Sequence, residues 1–288
     1  MHAIGYLLFV TGIAFGQQDT TKSPQAKTNP PQAAESTNTI DDFKADAAEC
    51  IFRLASRPKD KLTLHDEPLL HWGNPARTGE DGAVFVWMLD GRPEVIGSIF
   101  TYRLPKAIRR KHEFHSLASG PLTAEYRGQR VWAPKTAGVT FQQIPGAAEP
   151  AESPRQRLTQ MKALSREFSA RMQDEEGKQS ALRLISKPLM RYEPKNSSVI
   201  DGALFSFSLG TDPEVILVLE ARTEKGTTAW YYACARYHYI DLKVSHRDKE
   251  VWHAPELPRE ITNLDIGTPQ FQDSVYTTYH TLTTPIKE

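Results

Sequence analysis

The feature that most constrains this chain is a recurrence at one fixed spacing. Leu62-Thr63-Leu64 and Pro68-Leu69 return as Leu182-Arg183-Leu184 and Pro188-Leu189, a shift of 182 − 62 = 120 positions. The same shift carries Asp81-Gly82-Ala83-Val84-Phe85 onto Asp201-Gly202-Ala203-Leu204-Phe205, and Pro93-Glu94-Val95-Ile96 onto Pro213-Glu214-Val215-Ile216. It also carries Arg127 onto Arg247 and Val131-Trp132 onto Val251-Trp252. Separate blocks sharing one offset read as a module written twice. A solenoid would need three or more units of about 20–50 residues.

Each copy is expected to begin with a helix. After Thr39, the apolar positions Phe43, Ala47, Cys50, Ile51 and Leu54 follow helical spacing. In the second copy Ser153-Pro154-Arg155-Gln156 supplies an N-cap, a proline at the first helical position and a glutamine at the capping-box position. Leu158, Met161, Leu164, Phe168 and Met172 continue that stripe, so the helix is expected to run to about Glu175, before Gly177. Past each helix the period becomes two. Ala83 to Leu89, the turn Asp90-Gly91 and Glu94 to Tyr102 read as a hairpin, matched by Ala203 to Leu209 and Glu214 to Glu220 around Gly210-Thr211-Asp212-Pro213. Further strands are expected at Leu62 to Leu64, His112 to Leu117 and Val131-Trp132, with counterparts at Leu182 to Leu184, Trp230 to Tyr237 and Val251-Trp252. The expected class is α+β: two tandem related units, each a helix followed by an antiparallel sheet of about five strands.

The copies also separate the faces of the sheet. Ala83, Phe85, Trp87 and Leu89 align with Ala203, Phe205, Phe207 and Leu209, apolar in both. The opposite face is Val84, Val86 and Met88 in one copy but Leu204, Ser206 and Ser208 in the other. The first copy is therefore expected to pack that face, against the other copy or a ligand, while the second meets water.

Around the copies the composition changes. Ile4 to Phe15 is a run of about a dozen apolar residues, suited to a secretory leader and short of the roughly 20 that span a bilayer. The expected organisation is a signal peptide at 1–16, with an uncleaved anchor as the alternative, then a disordered linker at 17–39 rich in Gln, Thr, Pro and Ser. The first repeat covers 40–141, a Pro/Ala/Gly linker 142–153, the second repeat 154–255, and a C-terminal extension 256–288. Within the extension, Val275 to Leu282 can add an edge strand to the second sheet. With 35 basic and 35 acidic side chains the chain has no electrostatic footprint for nucleic acid. Two cysteines in 288 residues exclude a disulfide scaffold.

Chemistry is thinner. His112-Glu113-Phe114-His115 is one residue short of the helical zinc motif and lies on an expected strand, where His112 and His115 point to opposite faces. Their aligned counterparts are Tyr232 and Ala235, so the shared scaffold does not need them. Glu94 and Glu214 sit at the same place beside each hairpin turn. They could form an acid/base pair across a pseudo-two-fold axis, or each could pair with a nearby arginine such as Arg92. Trp132 and Trp252 read as core-closing aromatics. Cys50 and Cys234 read as buried thiols, a bridge between the copies being the alternative. Neither a nucleophile elbow nor a phosphate-cradling loop is recognisable, and no cofactor is implied.

Several blocks together carry a resemblance. Asp81-Gly82-Ala83-Val84-Phe85 with Gly91-Arg92-Pro93-Glu94-Val95, His112-Glu113-Phe114-His115-Ser116-Leu117, Arg157-Leu158 through Met161 to Arg166-Glu167-Phe168, and Asp201-Gly202-Ala203-Leu204-Phe205 with Gly210-Thr211-Asp212-Pro213-Glu214-Val215 resemble a family of exported planctomycete proteins of unassigned function. The resemblance covers nearly the whole chain after the linker. It implies a bacterial, exported, duplicated architecture and brings no catalytic residues with it.

The functional expectation is an exported, non-catalytic binding or interaction protein of the cell envelope, periplasmic or extracellular, with a protein or small-molecule partner and no transmembrane domain in the mature chain. An aromatic-lined groove near Trp72, Trp87 and Tyr102 is the candidate surface. One alternative is an envelope hydrolase at the junction of the copies, built from Glu94, Glu214, His112 and His115. Another is an oligomerising structural component.

Overall fold

Three antiparallel sheets of three, six and eight strands build the fold, and each half of the chain closes over a hydrophobic core of its own, with a third core between the halves. The structure is a computed structural model; it describes residues 40–74, 80–174, 176–195, 197–262, 264–266 and 273–286. The expected leader and the linker at 17–39 lie outside the described residues. These described residues form one compact unit.

In the first half, α1 (Ile40–Ala48) leads into β1 (Cys50–Leu54), β2 (Thr63–Leu64), β3 (Leu70–Asn74), β4 (Glu80–Leu89), β5 (Arg92–Leu104), β6 (Ala107–Ser116), β7 (Leu122–Tyr126) and β8 (Gln129–Trp132). After β9 (Gln142–Gln143), the second half comprises α2 (Pro154–Ser165), β10 (Phe168–Gln173), β11 (Gln179–Tyr192), β12 (Val199–Leu209), β13 (Asp212–Glu224), β14 (Thr227–Arg236), β15 (Asp241–His246) and β16 (Lys249–Ala254). The chain closes with α3 (Arg259–Thr262) and β17 (Tyr276–Pro285). The strand orders are β1-β7-β8, β16-β15-β10-β11-β12-β13-β14-β9, and β17-β6-β5-β4-β2 with β3 also on β4.

The expected α+β class is therefore corrected. Strands hold 57% of the described residues and helices 10%, in three half-barrel sheets, not one five-stranded sheet per unit. Both helices are shorter than their apolar stripes suggest. Ser153 caps α2 as expected, its Oγ accepting from the Gln156 N–H at 3.3 Å, but the helix ends at Ser165. Phe168 and Met172, like Cys50, Ile51 and Leu54 in the first half, lie on strands. A short apolar run supports either period, and here pairing of β1 with β7 and of β10 with β15 decides for the strand.

The hairpins are closer to expectation. Asp90 and Gly91 both have positive φ, the geometry of a two-residue hairpin turn, and Gly210 has it in the second. In each hairpin one residue bulges out of register: Glu94 between Trp87 and Met88's partners, and Glu214 between those of Phe207 and Ser208. The bulge carbonyls are put to use, Glu94 O accepting from the Leu117 N–H and Glu214 O from the Tyr237 N–H, both at 2.8 Å. The recurring Asp-Gly-Ala block has an equally local cause. A Cβ at Gly82 would lie 2.8 Å from the Trp72 ring, and one at Gly202 would lie 2.4 Å from the Tyr192 ring, so only glycine lets these aromatics lie on the neighbouring strand.

The halves differ in one strand. β11 runs through a bulge between Ile185 and Met190 and joins β10 to β12, making one continuous eight-stranded sheet. The aligned stretch of the first half carries His65-Asp66-Glu67-Pro68 in place of Ile185-Ser186-Lys187-Pro188 and breaks into β2 and β3, so β1-β7-β8 stays separate.

Three cores follow from these layers. Phe43, Phe52, Phe85, Trp87, Phe114 and Trp132 fill the first half, and Met161, Phe168, Phe205, Phe207, Leu217 and Trp230 the second. Between the sheets lie Val84, Val86, Ile96 and Leu117 with Leu204, Ile216, Val218 and Tyr237. The expected apolar face of the first half thus packs on the second. The second half's matching face does not meet water: Ser206 and Ser208 are buried and bond to each other, Oγ to Oγ, at 2.8 Å.

Contacts across this layer are reciprocal. The Lys195 N–H donates to the Asp90 carbonyl of the first hairpin turn (3.1 Å), and Thr211 Oγ1 of the second turn donates to the Gly73 carbonyl (2.7 Å). Strand β9, following the first half, pairs with β14, and β17, following the second, pairs with β6. The C-terminal strand was expected on the second sheet; it completes the first, covering the outer edge of β6 from Ala107 to His115.

Candidate binding face and buried charge networks

The sequence candidates fall into separate environments. Trp87 is sealed in the first core, its ring centroid 4.7 Å from Phe52 and 5.5 Å from Phe114. Trp72 lies on the other face of the sheet, its indole N–H donating to Ser98 Oγ at 3.3 Å. Trp72 and Tyr102 do belong together, through Phe100: ring centroids step 5.6 Å from Trp72 to Phe100, 6.4 Å to Tyr102 and 5.9 Å on to His280.

Glu94 follows the bland expectation and pairs with Arg92 (3.1 Å). The same guanidinium reaches across the junction, Nε donating to Glu220 Oε1 at 3.1 Å. Glu220 is completely buried and also accepts from Tyr192 OH (2.6 Å) and Arg222 Nε (2.6 Å). Phe141 stacks 3.5 Å below the Arg222 guanidinium. Burial raises the Glu94 pKa against the pull of Arg92. Two arginines and two glutamates thus neutralise one another where desolvation of either sign alone would be prohibitive. Glu214, fully buried, lies instead in the neighbourhood of Tyr276.

His112 and His115 alternate across β6 as expected. His112 is buried beside Asp46 (Nε2 to Oδ2, 3.5 Å), its ring 4.9 Å from Tyr126 and 5.3 Å from Tyr279. Asp46, near the end of α1, accepts from Arg110 Nη1 (2.7 Å), Tyr126 OH (2.9 Å) and Arg127 Nη2 (3.3 Å). Burial would raise its pKa, but its contacts with His112, Arg110 and Tyr126 outweigh that and hold it well below the carboxylate range. Burial lowers that of His112. The second half builds the same clasp more lightly: Glu167 accepts from His246 Nε2 and Arg247 Nε, both at 2.9 Å. Since Tyr126-Arg127 and His246-Arg247 are aligned, each clasp fastens a strand turn to the helix end of its half. Sequence reasoning missed the carboxylates because Asp46 and Glu167 are not at the common offset.

His115 Nδ1–H donates to the Ser116 carbonyl (2.8 Å), and burial lowers its pKa to about 4. It begins a polar ladder on the inner face of the first sheet. His115, Glu113 and Lys111 on β6 stand opposite Tyr276, Thr278 and His280 on β17, and all six are buried. Tyr276 OH donates to Glu113, and Tyr276 lies under Arg236 (5.4 Å). Arg236 in turn donates to the carbonyls of His238, Tyr239, Ile240 and Pro255. In the second half the aligned β14 positions are Tyr231, Ala233 and Ala235, so the ladder belongs to the first half alone.

Toward its outer end this face opens. Phe100 and Tyr102 are half-buried, Leu104 is exposed, and Arg109 beside Tyr102 is half-buried. Tyr102 OH pairs with His280 Nε2 at 2.8 Å. Burial, then Lys111 and Arg109, lower the His280 pKa to about 4. The result is an aromatic strip edged by cations, anchored by a neutral histidine. Among the described residues no group of three or more His, Cys, Asp or Glu is arranged to hold a metal. Cys50 and Cys234 are free and buried, and burial raises both thiols, so neither is poised as a thiolate. No helix of the described residues is long and apolar enough to cross a membrane. No family model, curated protein or solved structure matches the chain.

Proposed function

We propose that this chain is an exported, non-catalytic binding protein of the bacterial cell envelope, built on an internal duplication in which the shared core is a rigid platform and the first half presents the binding face. One observation carries the reading: Phe100, Tyr102 and Leu104 form a partly open apolar strip beside Arg109, whereas the aligned residues of the second half are Glu220, Arg222 and Glu224. A platform duplicated for stability has no need of that difference, and an accessible aromatic strip with a few polar groups is the usual make-up of a recognition surface.

The hydrolase reading has less support. Its suspects are distributed among networks: Glu94 with Arg92 and Glu220, His112 with Asp46, His115 on a backbone carbonyl. A catalytic site needs such groups to converge on one reacting centre.

Sedimentation with a washed envelope fraction tests the proposal. Wild type is expected to co-sediment, and Phe100→Ser/Tyr102→Ser to remain in solution with an unchanged circular-dichroism spectrum. Equal co-sedimentation of a folded double variant would count against the face. Turnover of chromogenic esters, phosphates or glycosides would count against a non-catalytic protein.

A further inference from the structure

The open strip continues into a narrow ribbon tip, where β5, the Pro105-Lys106 turn, β6 and the end of β17 run together, Ile286 N–H closing on the Lys106 carbonyl at 3.0 Å. Three large hydrophobic side chains are conspicuously exposed among the described residues, and two of them, Leu104 and Leu282, are here. They lie on opposite faces of the ribbon. Leu104 pairs with Ala107 on the face of Tyr102, and Leu282 pairs with Arg110 on the face turned toward Asp46.

The charge of the tip is as one-sided as its apolarity. Between Glu94 and Glu113 the sequence has no acidic residue and five cations, Arg103, Lys106, Arg109, Arg110 and Lys111, in a chain whose overall balance is zero. Arg110 is engaged by Asp46, and Asp265 stands 4.0 Å from Arg109. Arg103 and Lys106 are exposed. The corresponding ribbon end of the second half reads Thr223-Glu224-Lys225-Gly226-Thr227-Thr228-Ala229, balanced in charge and without a large apolar side chain.

A three-strand tip is only about 10 Å across, given strand spacings near 4.8 Å. A stable protein interface takes about 800 Å² from each partner, which suits a broad face. A bilayer surface instead receives a narrow edge from all sides: apolar residues on both faces enter the boundary between headgroups and acyl chains, and cations meet lipid phosphates. We propose that the β5–β6–β17 tip docks on anionic bilayers, Leu104 and Leu282 entering the interface, Arg103, Lys106 and Arg109 meeting headgroup phosphates, and Tyr102 lying at headgroup depth. This names the partner of the binding face and so rests on the reading above.

The test is co-sedimentation of the full chain with vesicles of phosphatidylglycerol mixed with phosphatidylcholine, and with vesicles of phosphatidylcholine alone. Keeping the chain whole holds the N-terminal apolar run constant across variants. Wild type is expected to favour the anionic vesicles and to be released by salt. Arg103→Gln/Lys106→Gln is expected to weaken binding about 25-fold, taking roughly fivefold per cation, and Leu104→Ser to weaken it on both vesicle types. Equal binding to the two vesicles, or a double variant that binds like wild type, overturns the proposal. If wild type binds the envelope fraction but no lipid vesicle, the lipid assignment fails while the binding-protein reading stands, and an acidic protein becomes the partner.

Discussion

The β5–β6 and β13–β14 ribbons occupy matching places in the two halves, each with an unbroken register and a two-residue turn, yet they are used differently. One is edged by ten-residue β17 and carries histidines, lysine and the exposed Leu104; the other is edged by two-residue β9 and carries alanines, threonines and a closed ion network. What the halves share is explained by packing: a glycine under an aromatic ring, a bulge with a used carbonyl, a clasped turn. What they do not share has no such explanation, and that is where function is sought.

The largest effect is expected where the halves meet. Arg92→Met removes the cation between Glu94 and Glu220 and leaves buried carboxylates short of a partner, so urea unfolding should register a loss of about 3–5 kcal/mol. A loss below about 1 kcal/mol would mean that the junction network does not hold the halves together.

The two clasps come next. Asp46 is nearly inaccessible and has three donors, whereas the Glu167 side chain is 30% exposed. Asp46→Asn is expected to cost about 3 kcal/mol, and Glu167→Gln less than about 1 kcal/mol, because solvent screens the exposed pair. Equal costs in denaturant titrations would remove the distinction between a heavy and a light clasp.

Acidification probes the histidines of the first half. His115 and His280 have folded pKa values of about 4, below the roughly 6.5 of an unfolded histidine. Between those values the unfolded chain takes up protons that the folded chain refuses, so stability falls as pH drops from about 6.5 toward 4. Glu94, with its raised pKa, opposes this near the carboxylate range; Asp46, held low, adds to it from the ordinary Asp pKa downward. The His115 share from pH 7 to pH 5 is about 2 kcal/mol. Installing the second half's residue, His115→Ala, should flatten that slope, and an unchanged slope would place the sensitivity elsewhere.

How much of this was legible follows physical lines. Hairpins, the alternation of His112 and His115, and the pairing of Glu94 with Arg92 could be read because period-two patterning, an Asp-Gly turn and a charge two residues away are local signals. The helix ends could not, since Phe168 and Met172 fit either period until β15 supplies a partner. Nor could the place of β17: nothing in Tyr276 to Pro285 indicates which of two similar edges it will cover. The Asp46 clasp was hidden because its members, Arg110, Tyr126 and Arg127, lie more than sixty residues away.

The central claim, that the first half's ribbon and not the common scaffold makes the binding face, is met most directly by exchanging ribbon ends. Residues 103–109 would be replaced by Thr-Glu-Lys-Gly-Thr-Thr-Ala, the sequence at 223–229, and binding to the envelope fraction measured beside the urea midpoint. The account predicts loss of binding in a chimera that still unfolds cooperatively, less stable by no more than about 1–2 kcal/mol because Ala107, Ile108 and Arg109 are half-buried. A stable chimera that binds as well as wild type would contradict it.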